Sequence, residues 1–142
     1  MQLTRFSDYA LRVLMHVASQ DEEKLSSVAE VADVYGISRN HLMKVVQELG
    51  HAGFLETIRG RNGGLRLGRP AGEIRVGEVL RHTEHSFQLV DCGDCLVSPA
   101  CTLPKMFDEA TRAFLAVLDK YTLEDVIKGR KRQLKDLFFA EG

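Results

Sequence analysis

Residues 27–52, SVAEVADVYGISRNHLMKVVQELGHA, constrain the fold more than any other part of the chain. Ser27, followed three positions later by Glu30, predicts a helix start of the capping-box type, with the serine bonding a free amide and the glutamate reaching back. Val28, Val31 and Ala32 give this short helix an apolar side. Gly36 ends it cheaply, because glycine takes positive φ without a Cβ clash, and Ser38 caps a second helix over about residues 39–52. In that helix Leu42, Val45, Val46 and Leu49 recur at helical spacing and face inward, which leaves Arg39, Asn40, His41, Lys44 and Gln47 free. Two helices across a tight turn, the second opening on polar side chains able to read base edges, form the helix-turn-helix pattern.

The next segment reads as a wing. Phe54–Ile58 and Leu65–Leu67 are expected strands around the loop RGRNGG, with Asn62-Gly63 as the turn pair that takes positive φ. Residues 59–69 contain four arginines (Arg59, Arg61, Arg66, Arg69), four glycines and no acid. Residues 37–75 carry seven Lys/Arg against three Asp/Glu, although the whole chain has a net charge of -1. A basic stripe on an otherwise balanced chain points to an anionic partner at one face. Alone, such a loop is equally well explained as a solvated turn. Beside a helix-turn-helix its arginines lie where phosphates and a minor groove would lie. We therefore assign Ser38, Arg39, Asn40, His41 and Lys44 of the helix, and Arg59, Arg61 and Asn62 of the wing, to double-stranded DNA. Asparagine pairs bidentately with adenine and arginine with guanine, but either also serves a phosphate.

All three cysteines, Cys92, Cys95 and Cys101, fall in VDCGDCLVSPAC, residues 90–101. Gly93, Asp94, Ser98 and Pro99 make this segment a loop rather than core. The longest strictly apolar run, AFLAVL at 113–118, is far below the ~20 residues of a membrane span. The N-terminal MQLTRFSDYALRVL is polar where a signal peptide would be apolar, so a cytoplasmic location away from membranes is expected. In a reducing compartment an odd, clustered set of thiols favours metal or redox chemistry over structural disulfides. A thioredoxin-like use of Cys92 and Cys95 would require a βαβ unit, which the pattern lacks. Zinc would take the three thiolates with His82, His85, Asp91 or Asp94 as fourth ligand. An iron–sulfur cluster would take them with a fourth ligand from elsewhere. Spacing alone leaves these two level. No nucleophile–base pair or phosphate loop can be placed, so the chain does not read as an enzyme.

Residues 4–19 put Phe6, Ala10, Val13, Leu14 and Val17 on one helical face, and 76–84 read as a short helix. Pro104 opens a long helix in which Phe107, Ala110, Phe114, Val117, Leu118 and Tyr121 form an apolar stripe. Thr122 and Asp125 cap a final helix expected to run through KGRKRQLKDLFF. A long amphipathic helix outside a winged unit needs a partner, and a second copy of the chain is the simplest. At 142 residues one domain is expected, mostly α. Its divisions are a winged helix-turn-helix region at 1–84, a cysteine loop at 85–103, and dimerisation and C-terminal helices at 104–142.

MQLTRFSDYALRVLMHVA, ISRNHLMKVVQELG, GRNGGLRL, FLAVLDKYTLEDV and the order of cysteine loop then long helix resemble the Rrf2 superfamily of winged-helix regulators, in particular its nitric-oxide-sensitive repressors. The resemblance covers nearly the whole chain. It implies a homodimer that represses by binding operator DNA, with a 4Fe–4S cluster in each subunit. Matched to this sequence, the implied ligands are Cys92, Cys95, Cys101 and, from the partner subunit, Asp8. Taken alone, an aspartate in the first turn of a helix reads as a complement to the helix dipole. The proteins it resembles place several more residues between the first two cysteines, whereas only Gly93 and Asp94 intervene here. That leaves room for a 2Fe–2S cluster or for Asp94 as a changed fourth ligand. Within the superfamily the alternative signal is iron or cluster supply. Outside it, the alternatives are a small electron-transfer protein or a zinc-stabilised winged-helix interaction protein.

Overall fold

The computed structural model describes residues 1–140. Helix α1 (Arg5–Ser19) starts at Thr4, whose hydroxyl accepts from the Ser7 amide. Its Ala10, Val13, Leu14, Val17 and Ala18 form the centre of the core. Helices α2 (Val28–Tyr35) and α3 (Arg39–His51) lie where the caps require: Ser27 accepts from the Glu30 amide, Gly36 turns left-handed at φ 65°, and Ser38 accepts from the His41 amide. The expected capping box at Ser27 is only half made. Glu30 does not reach back; its carboxylate instead meets Nε2 of buried His16 at 3.2 Å.

Strands β1 (Leu55–Ile58) and β2 (Gly64–Leu67) pair antiparallel, with Leu55 opposite Leu67 and Glu56 opposite Arg66. Ser26 adds an isolated bridge to Leu65, which fixes the wing to the segment entering α2. The turn is not made as the Asn62-Gly63 pair predicts. Gly60 takes up the positive φ, at 111°, and no residue other than glycine has positive φ among the described residues. Gly63 is needed for a different reason: a Cβ there would run into the Ile58 and Gly60 carbonyl oxygens.

After a 3₁₀ turn at Ala71–Glu73, α4 (Val76–Thr83) packs on α1. Ser7 of α1 and Thr83 of α4 share a buried hydrogen bond of 2.7 Å. Helix α5 (Leu103–Leu118) carries Pro104 in its first turn and buries no residue. It ends before Tyr121, shorter than the apolar stripe predicts, and Arg81 of α4 holds Asp119 at its end through both carboxylate oxygens.

The expected single C-terminal helix is two. Thr122 and Asp125 complete a full capping box for α6 (Leu123–Ile127), and Gly129 at φ 70° breaks the helix before α7 (Lys131–Phe138). Both return to α1. Leu123 and Ile127 join the core, and the Phe138 ring stacks on His16 at 4.6 Å between centroids. Among the described residues, 104–140 therefore divides, with α5 standing on the outside while α6 and α7 complete the winged unit.

Candidate nucleic-acid interface and cysteine loop

Burial of Leu42, Val45, Val46 and Leu49 fixes the roll of α3, so that Arg39, Asn40, Met43, Lys44 and Gln47 lie exposed on the opposite face. The side of α3 facing β1 and β2 opens into a groove of about 1030 Å³ whose lining includes Asn40, Lys44, Gln47, Thr57 and Arg59. Helix and wing thus form one continuous surface. His41 departs from the expected free position: its ring meets Tyr9 of α1 edge-on at 4.9 Å and is half-buried. It ties α3 to α1. Met43, 58% exposed, belongs to this face although its apolar side chain hides it from a reading based on polarity. Its position, one turn from Arg39 and Asn40, is the signal that finds it.

The four wing arginines are not equivalent. Arg66 is bound across the strands by Glu56 at 2.9 Å; this pairing holds the Glu56 carboxyl below its ordinary range and pushes the Arg66 guanidinium up. Arg69 bonds Glu78 at 3.0 Å and sits over the Phe54 ring. Arg59 and Arg61 have no acidic partner among the described residues, nor do Arg39 and Lys44. The cations left free for phosphate are therefore those at the wing tip and on the exposed face of α3. Asn62 is exposed beside them.

From Glu84 to Thr122 no residue is buried. Within this stretch the cysteine loop is built of successive turns: the Cys95 amide donates to the Cys92 carbonyl at 3.4 Å, Ser98 to Cys95 at 3.2 Å, and Cys101 to Ser98 at 3.4 Å. Asp91 accepts from the Gly93 amide at 3.0 Å. All three thiols are free, with Cys92 and Cys101 half-buried and Cys95 exposed. The donor set suits an iron–sulfur cluster, being three soft ligands on one adaptable surface loop. Among the described residues no three His, Cys, Asp or Glu side chains converge closely enough to hold a metal ion. His82, a candidate fourth zinc ligand, packs edge-on against Phe54 at 5.3 Å. Asp8 lies in the first turn of α1 and binds Arg12 with both oxygens, at 3.0 Å each.

A family model described as Rrf2, iron-dependent transcriptional regulator, matches residues 3–129. The chain belongs to the Rrf2 family. It is a DNA-binding transcriptional regulator, not an enzyme. An HTH-type transcriptional regulator NsrR of Bacillus subtilis (strain 168) is 47% identical, over 99% of this chain and 100% of that protein. The regulator of the same name from Bacillus licheniformis is 50% identical over 89% of this chain and 92% of its own. Among solved structures, CymR (YrzC), the global cysteine regulator of B. subtilis, superposes with a TM-score of 0.68 at 26% identity, covering 89% of this chain and 95% of that one. IscR of T. potens, at a TM-score of 0.76 and 22% identity over 100% of this chain and 94% of that one, shares the fold. For the Rrf2 chain described here, no helix is long and apolar enough to cross a membrane among the described residues.

Proposed function

We propose that the protein is a cytoplasmic homodimeric repressor that binds operator DNA through α3 and the wing, carries an iron–sulfur cluster, and releases DNA in response to nitric oxide. The observation that carries this reading is the pairing of two surfaces: unpaired cations on α3 and the wing tip, and three free thiols on one exposed loop. The relatives named NsrR and the iron-dependent description of the family support it. A helix of 16 residues with nothing buried is marginal alone, and α5 exposes Met106, Phe114 and Val117, which favours a second copy as its cover.

In this reading Cys92, Cys95 and Cys101 hold the cluster, and Asp8 of the partner subunit completes it. When bound, the 4Fe–4S cluster (or a 2Fe–2S cluster, given the short first spacing) supplies iron open to nitric oxide, with the carboxylate as its weakest bond. The chain's own residues connect that carboxylate to the reading head. Asp8 holds Arg12, whose guanidinium lies 6.0 Å from the Tyr9 ring centre and 5.7 Å from that of Tyr35. Tyr9 in turn packs on His41 of α3. Were Asp8 taken up as a ligand it would leave Arg12, and the freed guanidinium would change the support of α3 at Tyr9. The cluster favours DNA binding only to the extent that it favours the dimer whose two reading heads match two half-sites.

Anaerobically purified protein should be coloured and contain iron and acid-labile sulfide. Nitric oxide should bleach it and release operator DNA in step, and Asp8→Ala should shift that response while leaving the thiolates loaded. A colourless protein with one zinc per chain would sink the cluster assignment. Retention of DNA after complete bleaching would instead transfer the signal to iron or cluster supply.

A further inference from the structure

We infer that Cys92 and Cys95 are a dithiol that closes to an intrachain disulfide in the cluster-free protein, with Cys101 left as a free thiol, so that oxidation of this pair shuts the loop against cluster loading. The disulfide rests on the loop geometry alone; its effect on loading rests on the proposed cluster.

Cys92 and Cys95 are the first and last residues of a turn closed by the Cys95 amide on the Cys92 carbonyl at 3.4 Å. Such a turn brings its end Cα atoms within ~7 Å, and a disulfide spans Cα separations of about 4.4–6.8 Å. The backbone is therefore already near the bridging distance. Asp91 stabilises this arrangement by taking the Gly93 amide at 3.0 Å, and Gly93 offers no side chain to obstruct closure. Cys101 is two turns further on, at the end of the 3₁₀ turn Ser98–Ala100. Pairing it with either of the others would require those turns to unfold. Because no residue from Glu84 to Thr122 is buried, closing the pair disturbs no core contact.

Exposure sets the order of the chemistry. Cys95 is exposed and Cys92 half-buried, so the Cys95 thiolate is the one that meets an external oxidant. With a low-molecular-weight disulfide, Cys95 Sγ attacks one sulfur, the disulfide bond breaks, and one thiolate leaves. Cys92 Sγ then attacks Cys95 Sγ of the mixed disulfide and expels the second thiolate. Two cysteine thiols are oxidised, one external disulfide is reduced to two thiols, and the two cysteine protons pass to the leaving thiolates. The closed form offers only Cys101 as a thiolate ligand, which removes two of the three sulfur donors.

The test uses the full chain, stripped of iron by a chelator, incubated with glutathione disulfide and then alkylated under denaturing conditions. The expected product is lighter than the reduced chain by two hydrogens before alkylation, and takes one alkyl group, at Cys101, with the Cys92 and Cys95 peptide cross-linked to itself. Cys101→Ser should give the same disulfide, while Cys92→Ser should stop at a glutathione adduct on Cys95. Oxidised protein should take up no cluster from iron and sulfide until treated with a reductant, as read by iron content and visible absorption. Adducts on all three cysteines, or a bridge that uses Cys101, would overturn the pairing. Equal loading of oxidised and reduced protein would overturn the lockout. If the reduced protein takes up no cluster either, the cluster reading and the lockout fall together while the disulfide stands.

Discussion

Replacing Arg59 and Arg61 together with alanine should flatten the salt dependence of DNA binding far more than removing Arg66 and Arg69. The reasoning is one of pairing rather than count. Arg66 and Arg69 already hold Glu56 and Glu78, so moving them onto phosphate would strand two carboxylates beside the DNA. Arg59 and Arg61 hold none, and both are exposed at the wing tip. Each phosphate neutralised contributes about 0.9 to the slope of log affinity against log salt. In the proposed dimer two arginines in each subunit amount to about four contacts, so the slope should fall by about 3.6. Near ~0.1 M salt, with the electrostatic contribution taken to vanish near ~1 M, affinity should drop by about three and a half orders of magnitude, on specific and non-specific sequences alike. The assay is fluorescence anisotropy with a labelled operator and a scrambled duplex over a salt series. Arg66→Ala is the control: it frees Glu56 as it removes its own charge, and its slope should change little if Arg66 touches no phosphate. An unchanged slope in the double variant, or an equal effect from Arg66→Ala, would refute the assignment of free and occupied arginines.

Cys92→Ala, Cys95→Ala and Cys101→Ala should each lose most bound iron, measured colorimetrically. Compared as cluster-free proteins they should unfold at nearly the wild-type temperature, within about 0.5 kcal/mol, because no residue of the loop is buried and substitutions away from packing features cost little. The stability of the winged unit should depend on pH through His16. Burial pushes the His16 pKa below its ordinary 6.5, against the opposing pull of Glu30 and aided slightly by Lys24. An unfolded chain then binds a proton below pH 6.5 that the folded chain refuses, so stability is full above that pH and falls as pH drops through 6.5 towards the lowered value. Thermal melts of wild type and His16→Gln between about pH 7.5 and 5.0 should diverge on the acid side, a range that brackets the ordinary histidine value. Parallel curves would remove His16 as the source.

The parts of the fold legible in the sequence are those governed by neighbours three or four residues apart. Ser27, Gly36, Ser38 and Thr122 each mark a helix end because the cap bond is local, and the four inward positions of α3 follow from helical periodicity. Contacts over longer separations are not legible. Glu30 reads as the back half of a capping box, yet a buried histidine 14 residues earlier competes for its carboxylate and wins, pairing Nε2 while Nδ1 stays without a partner. The summed charge of residues 37–75 overstates the cationic surface, because the register that sets Glu56 opposite Arg66 exists only once the hairpin has formed. Gly129 is a readable break between α6 and α7, but the strong apolar spacing on either side masks it. Side chains expected to contact DNA, Asn40, Lys44 and Arg59, line one groove. The ligand set of the cysteine loop does not, because that loop has no buried residue to define its conformation.

That contrast also bears on how a signal could travel. A segment with nothing buried reorganises without disturbing the core, so changes in the cysteine loop alone need not reach α3. To affect DNA binding they must act on an element that shares the core with the reading head. α1 is that element: it packs on α3, α4, α6 and α7, and it carries Asp8, Tyr9 and Arg12 along its outer side. The latch at its far end adds to this. Phe138 stacks on His16, Lys135 reaches Asp21 at 2.7 Å, and Lys24 lies over the Phe139 ring at 4.4 Å, so the C-terminal end of α1 is clamped. With that end clamped, a pull at Asp8 is resisted at one end and felt at the other, where Tyr9 meets His41. On the proposed reading, the first turns of α1, rather than the loop or the wing, are therefore where loss of the Asp8 ligand would reach α3.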